Sequence, residues 1–299
     1  MRSLLRLPRI LHGAVMRAAR HDCLNLAQSA AYAAMVALFP ALIVAAAVIG
    51  FLPDTAPLRF QLSAFFDRIL PPDVSPFLQT YFVESPHGTH STRGLIVSFL
   101  VSLTGATSVL ATLMEGVRRA NDLPVDCWSF WQRRRRALLL VPLSIIPFGA
   151  ASLILVFGQF ATRWLAFHIT PAVRPSVLFL AVLIRWVIAL TASVGITALI
   201  YHMGSPMHQP WKRTLPGAVI STLMWFIATV AFGWYVTRFA NYSQVYGSLG
   251  VGIALLFWLN IISLCVLAGA EVNAEIRSRF FQSNRVHSAS LPPNQLPPV

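Results

Sequence analysis

The chain has 299 residues, 56% of them hydrophobic and only 11% charged, with a formal net charge of +13 and a mean hydropathy of +0.66. A soluble globular domain carries about 25% charged residues, so this composition excludes a single water-soluble core and makes the bilayer the solvent. In a soluble protein such a positive charge would point to nucleic acid; here its placement follows the membrane, and no nucleic acid is expected as a partner.

Residues 1–22 read as an amphipathic helix lying in the membrane interface. Leu4, Leu7, Leu11, Ala14, Val15 and Ala18 fall on one side, while Arg2, Arg6, Arg9, Arg17 and Arg20 fall on the other, facing anionic headgroups. Pro8 starts or kinks this helix. The apolar run over 28–52 is longer than the core of a signal peptide, so it reads as a first transmembrane span, bent at Pro40. Its Ser29, Ala30, Ala33 and Ala37 allow close approach of another helix. Residues 53–92 are expected outside the membrane, with a second interfacial helix marked by Leu58, Leu62, Phe65, Phe66, Ile69 and Leu70. His87 and His90 follow in a loop whose nearest carboxylate is Glu84, too few ligands for a metal.

Further spans are expected over 94–117, 137–167 (with Pro142 and Pro147 as kink points), 175–201, 214–238 and 248–274. Each can cross a hydrocarbon core of roughly 30 Å, which takes about 20 residues. The fold class is therefore all-α: a polytopic membrane protein with six transmembrane helices plus interfacial amphipathic helices, its transmembrane domain covering 23–278. Residues 279–299, with Pro292, Pro293, Pro297 and Pro298, are expected to form a disordered tail.

Six crossings put all but seven of the 23 Lys and Arg on one side, at the N-terminus, in the 2–3 and 4–5 loops and in the tail. The other side holds Arg59, Arg68, Arg93, Arg163, Arg174 and Arg238, and Arg185 lies within the membrane. This asymmetry places both termini in the cytoplasm. Arg133–Arg136, directly before an apolar run, then serve as a cytoplasmic anchor.

Two polar groups inside the membrane stand out. Arg185 lies about ten residues into the fourth span, where an arginine costs at least about 2.5–3.5 kcal/mol, and Asn260 sits at matching depth in the sixth. They form a candidate intramembrane polar site; alternatively, Arg185 only braces the bundle through backbone carbonyls. Glu115, Glu271 and Glu275 lie near the cytoplasmic ends of the second and sixth spans. They could relay protons or bind a cation, or simply offset the nearby arginines. Cys23, Cys127 and Cys265 have no CxxC spacing, so neither a disulfide framework nor a zinc site is expected. No H-E-x-x-H, G-x-S-x-G or P-loop pattern occurs, and no cofactor, metal or enzymatic activity is expected.

Several segments resemble a known family when taken in order. They are Gln28-Ser-Ala-Ala-Tyr32 with Phe39-Pro40; Glu115-Gly116 through Asn121 with Phe130-Trp131; Leu215-Pro216-Gly217-Ala218; Tyr246-Gly247-Ser-Leu-Gly250; and Gly269-Ala-Glu-Val-Asn273-Ala274. Over about residues 15–277 the chain resembles the YihY/BrkB family of bacterial inner-membrane proteins, also labelled the ribonuclease BN family. The resemblance implies six transmembrane helices in the bacterial cytoplasmic membrane and an association with virulence and serum resistance. It implies no agreed activity and no catalytic residues. With membrane lipids as partners, the expected function is transport or handling of a lipid-like or amphipathic substrate. The alternatives are a structural, envelope-integrity protein and, least favoured, a membrane-bound ribonuclease.

Overall fold

The computed structural model describes residues 7–50, 92–168, 174–205, 210–239 and 248–289. Among them are seven α-helices and no strand: α1 Leu7–Arg20, α2 Cys23–Gly50, α3 Thr92–Ala120, α4 Phe130–His168, α5 Arg174–Gly204, α6 Trp211–Phe239 and α7 Ser248–Ala289. Five of them, α2, α3, α5, α6 and α7, are long and apolar enough to cross a membrane. They correspond to the first, second, fourth, fifth and sixth expected spans; the third falls in α4, with Pro142 and Pro147 inside it. The segment 53–91, with its expected interfacial helix and histidine loop, lies outside the described residues.

The helices outrun their expected ends. α2 begins at Cys23 rather than near Gln28, because only His21 and Asp22 separate it from α1. Asp22 adopts φ 59°, a left-handed conformation that aspartate tolerates, and accepts a hydrogen bond from Asn25 Nδ2 at 2.7 Å. α4 begins at Phe130 and so takes Arg133–Arg136 into its first turns. α7 continues to Ala289, past residue 279 where the tail was expected to begin; no proline interrupts the sequence between residue 279 and Pro292.

Each of α2 to α6 packs on its successor, and α7 packs back on α2, so six helices close into a ring, with α3 also touching α5 and α7. The tightest packing lies at one end, here called the base, where α1 and the α3–α4 connection sit. Its core joins Cys23, Ala27 and Ala30 of α2, Val117 and Ala120 of α3, Tyr201 of α5, Ala218 of α6, and Leu267, Ala270 and Ala274 of α7. Away from the base, large apolar side chains such as Phe99, Ile146, Phe179, Trp186, Phe226 and Phe257 face outward, as expected where lipid is the solvent.

The closest helix crossing at the base is α6 against α7. A Cβ on Gly217 would lie 2.3 Å from the Gly269 carbonyl, and one on Gly269 would lie 2.5 Å from the Tyr201 hydroxyl and 2.7 Å from the Gly217 carbonyl. Small residues let helix backbones meet in this way in membranes. The Asn273 carboxamide then stitches the pair. Its Oδ1 accepts from the Gly217 N–H at 2.7 Å and its Nδ2 donates to the Thr214 carbonyl at 2.9 Å, flanking Pro216, which has no N–H to give. The Tyr201 hydroxyl donates to the Val266 carbonyl at 2.5 Å and ties α5 to the same crossing.

Overpacking a site of this kind costs about 1–3 kcal/mol or more. Gly269→Val is therefore expected to lower the thermal unfolding midpoint of the purified protein in detergent. Gly195→Ala, whose Cβ would meet nothing within 4 Å, is expected to leave it unchanged.

Candidate functional site

The chemistry of the described residues gathers at the base, around a carboxylate with no solvent exposure. Glu271 of α7 is 0% exposed. Its Oε2 lies 3.3 Å from Arg17 Nε of α1, and its Oε1 lies 2.6 Å from His21 Nδ1 and accepts from the Cys23 thiol at 3.7 Å. A buried charge must be paired, and α1 exists to pair this one. Arg17 also donates to the Ala120 carbonyl at 2.7 Å, capping the end of α3, and to Asp122 Oδ2 at 2.7 Å. Asp122, at φ 53°, closes α3 by donating its N–H to the Arg119 carbonyl at 2.9 Å. The Asp122 carboxylate also reaches His21 Nε2 at 3.2 Å, so both ring nitrogens of His21 are engaged by carboxylates. Burial opposes ionisation of Asp122, but the hydrogen bond and charge of Arg17, with a further contribution from His21, outweigh it and hold the carboxyl below its ordinary range. The pairing thus persists through that range and is lost only as pH falls further, through the lowered value.

A second knot adjoins the first. Glu115 of α3 accepts from Arg118 Nη2 at 2.6 Å, Arg119 Nε at 3.2 Å and Arg133 Nη1 of α4 at 3.3 Å. Arg119 also donates to the His21 carbonyl at 3.2 Å, linking the knots, and Arg118 caps the Leu123 carbonyl. Glu275 pairs with Arg279 at 2.7 Å on α7 and packs against Gly13 of α1. Of the Arg133–Arg136 run, Arg134 reaches Ser108 at 3.4 Å and Arg136 lies 4.6 Å over the Trp128 ring.

Each of the three predicted carboxylates is therefore held by arginine, the offsetting arrangement, and among the described residues no group of three or more His, Cys, Asp or Glu is arranged to hold a metal. One orientation is corrected. The helical wheel of residues 1–22 sent Arg17 to the headgroups, yet its side chain is 20% exposed and turned inward to Glu271, while Leu11 and Val15 are exposed. Buried ion pairing outweighs the polarity of the wheel. Arg185 and Asn260 are not brought together by any hydrogen bond among the described residues. Arg185 Nε donates to the Ala181 carbonyl of its own helix at 3.3 Å, and its Cδ lies beside Gly158 of α4.

A profile of the family described as "Virulence factor BrkB" matches residues 14–291. The chain belongs to the BrkB family. It is 26% identical over 264 residues to a Bacillus subtilis protein named ribonuclease-like protein YfkH, covering 87% of this chain and 92% of that one. It is 27% identical to a UPF0761 membrane protein of Rhodospirillum centenum over 271 residues, 89% of this chain and 57% of the relative. It is 26% identical to another of Tolumonas auensis over 266 residues, 86% and 82% respectively. The chain thus spans only a little over half the length of some relatives it matches. No solved structure matches it.

Several BrkB-type motif residues meet at the base: Asn121 ends α3, while Pro216, Gly217, Gly269 and Asn273 form the α6–α7 crossing. Tyr32 instead faces outward, 68% exposed, and Pro40 lies inside α2. Gly250 lines a groove farther up α7, and Tyr246 and Gly247 lie outside the described residues. Sequence reasoning missed Arg17 and His21 as partners of Glu271. The available signal was the setting of Glu271 in Gly-Ala-Glu-Val-Asn-Ala, where small neighbours on the helix leave no route to water.

Removing one partner of a buried pair costs about 3–5 kcal/mol, whereas an exposed pair is worth about 1 kcal/mol or less. Glu271→Ala is expected to lower the unfolding midpoint strongly, and Asp122→Asn, at a carboxylate 63% exposed, only slightly. Thermal denaturation of both variants in one detergent checks the order.

Proposed function

We propose that this BrkB-family membrane protein crosses the bacterial inner membrane six times with its base in the cytoplasm, and that it handles or moves a lipid-like substrate along apolar grooves above that base. One observation carries the reading: the ring is packed at the base but gapped higher up. A groove of about 580 Å³ runs between α2, α3 and α4, lined by Ala37, Ala41, Val44, Phe99, Leu103 and Ile145 among others. A second, of about 550 Å³, lies between α6 and α7 beside Phe232, Tyr235 and Phe257. These volumes fall within the roughly 300–1,000 Å³ of ligand sites. Their linings match the chemistry of an acyl chain, which is the occupant we assign. The first groove also holds a buried Ser144 hydroxyl without a hydrogen-bond partner among the described residues, a point at which a lipid ester could be held.

The orientation rests on the arginine asymmetry, and α4 supplies the sixth crossing. Reporter fusions at Glu84 and at Arg134 are expected on opposite faces of the membrane; the same face for both overturns the topology.

Neither groove is lined by Arg185, so that residue does not carry the reading. Its contact with Gly158 and the ion-paired base favour the second reading, a structural protein without transport. The ribonuclease reading is disfavoured because His21, the histidine among the base carboxylates, has both nitrogens engaged. Fluorescent-lipid scrambling in proteoliposomes separates the first two. Ala41→Trp, which fills the larger groove, is expected to slow scrambling severalfold while Arg185→Ala leaves most of it. No scrambling by folded wild-type protein would leave the structural reading in place.

A further inference from the structure

At the base, Arg17, Arg118, Arg119, Arg133 and Arg279 each have a carboxylate partner. Arg134, Arg135 and Arg136 have none among the described residues, and nor do Arg213 and Arg277, but these last two share one small cleft between α3, α5, α6 and α7. Asn121, Asn273, Thr214 and Tyr201 complete its polar wall, and no acidic residue lines it. Arg277 is only partly exposed. The charges acting on it include repulsion from Arg17 and Arg213, set against attraction from Asp122 alone.

The backbone adds to this excess. α6 begins at Trp211, directly beside the cleft, and its first turn has Lys212 and Arg213 but no acidic residue. The positive dipole end of this 29-residue helix therefore lies at the cleft, with the Arg213 N–H already donating to the Pro210 carbonyl at 2.8 Å. Arg277 is partly removed from water beside the like charge of Arg213, an arrangement that an anion in the cleft relieves. Arginine forks suit a phosphate, which accepts paired hydrogen bonds. The cleft encloses about 20 Å³, room for about one water-sized group. It therefore admits a single oxygen of an oxyanion, with the rest of the ligand remaining outside.

We propose that Arg213 and Arg277, with the N-terminus of α6, form a binding site for a phosphate group at the base of the bundle. This site is separate from the apolar grooves and does not depend on what fills them. The phosphate comes either from a soluble phosphorylated compound or from the headgroup of an anionic lipid reaching the base from the adjoining leaflet.

The test uses the full chain and three variants: Arg213→Gln, Arg277→Gln and, as a control, Arg135→Gln, an exposed arginine that does not line the cleft. In neutral detergent at constant ionic strength, inorganic phosphate is titrated by calorimetry. In nanodiscs of phosphatidylcholine with or without phosphatidic acid, lipid retained on the protein is counted by native mass spectrometry. Binding in the first arm marks a soluble ligand, and selective phosphatidic acid retention in the second marks a lipid headgroup. In whichever arm binds, each cleft variant is expected to weaken binding about tenfold to a hundredfold, with Arg135→Gln unchanged. The Arg213 side chain is exposed, so its variant keeps the test open if Arg277→Gln does not fold. Absence of binding in both arms, or equal weakening by Arg135→Gln, overturns the proposal.

Discussion

A carboxylate sealed from water in the interior of the last described helix sets the terms for this molecule. Glu271 has no exposure, and it is met by Arg17 of the first helix and by His21 of the turn that follows it. That demand turns α1 from a surface helix into part of the bundle and aligns Arg17 so that it also closes the end of α3. The same alignment brings Asp122 to His21 and Arg119 to the backbone at the α1–α2 joint. A buried ion pair is weak evidence of net stability but strong evidence of specificity in geometry. Here it fixes which ends of four helices meet.

The remaining architecture follows from two solvents. At the base, protein surrounds protein, so backbone contact is close and polar groups are answered one by one, as the Asn273 carboxamide answers Gly217 and Thr214 beside Pro216. Above it, acyl chains are as apolar as leucine, so no hydrophobic force draws the helices together. Grooves there cost little. A bundle clamped at one end and gapped toward the other is what those conditions favour, and it leaves room for lipid where lipid is already the neighbour.

What the sequence revealed divides along the same line. The spans were legible because crossing a bilayer demands a length of apolar residues that few other constraints imitate. Their ends were not, because α2 and α7 continue past the apolar runs into segments that hydropathy does not register. A helical wheel sorts Arg17 by polarity alone and has no knowledge of a carboxylate 254 positions away. Matching Arg185 to Asn260 used depth, one coordinate of three; the direction around each helix decides contact, and it takes Arg185 to Gly158 instead. The glycines and Asn273 were visible as a pattern, but only the crossing of α6 and α7 explains why no larger residue fits there.

The pairing of Arg17 with Glu271 also bears on how the protein is made. Arg17 leaves the ribosome among the first residues, and its partner follows almost a full chain later. Throughout synthesis the early spans sit in the membrane with their charged lock open, held by contacts between neighbours such as α2 and α3. The lock waits for α7, whose arrival joins the ring and brings Glu271 to Arg17. A chain stopped before Glu271 leaves Arg17 with Asp122 as its carboxylate partner and the ring open between α6 and α2.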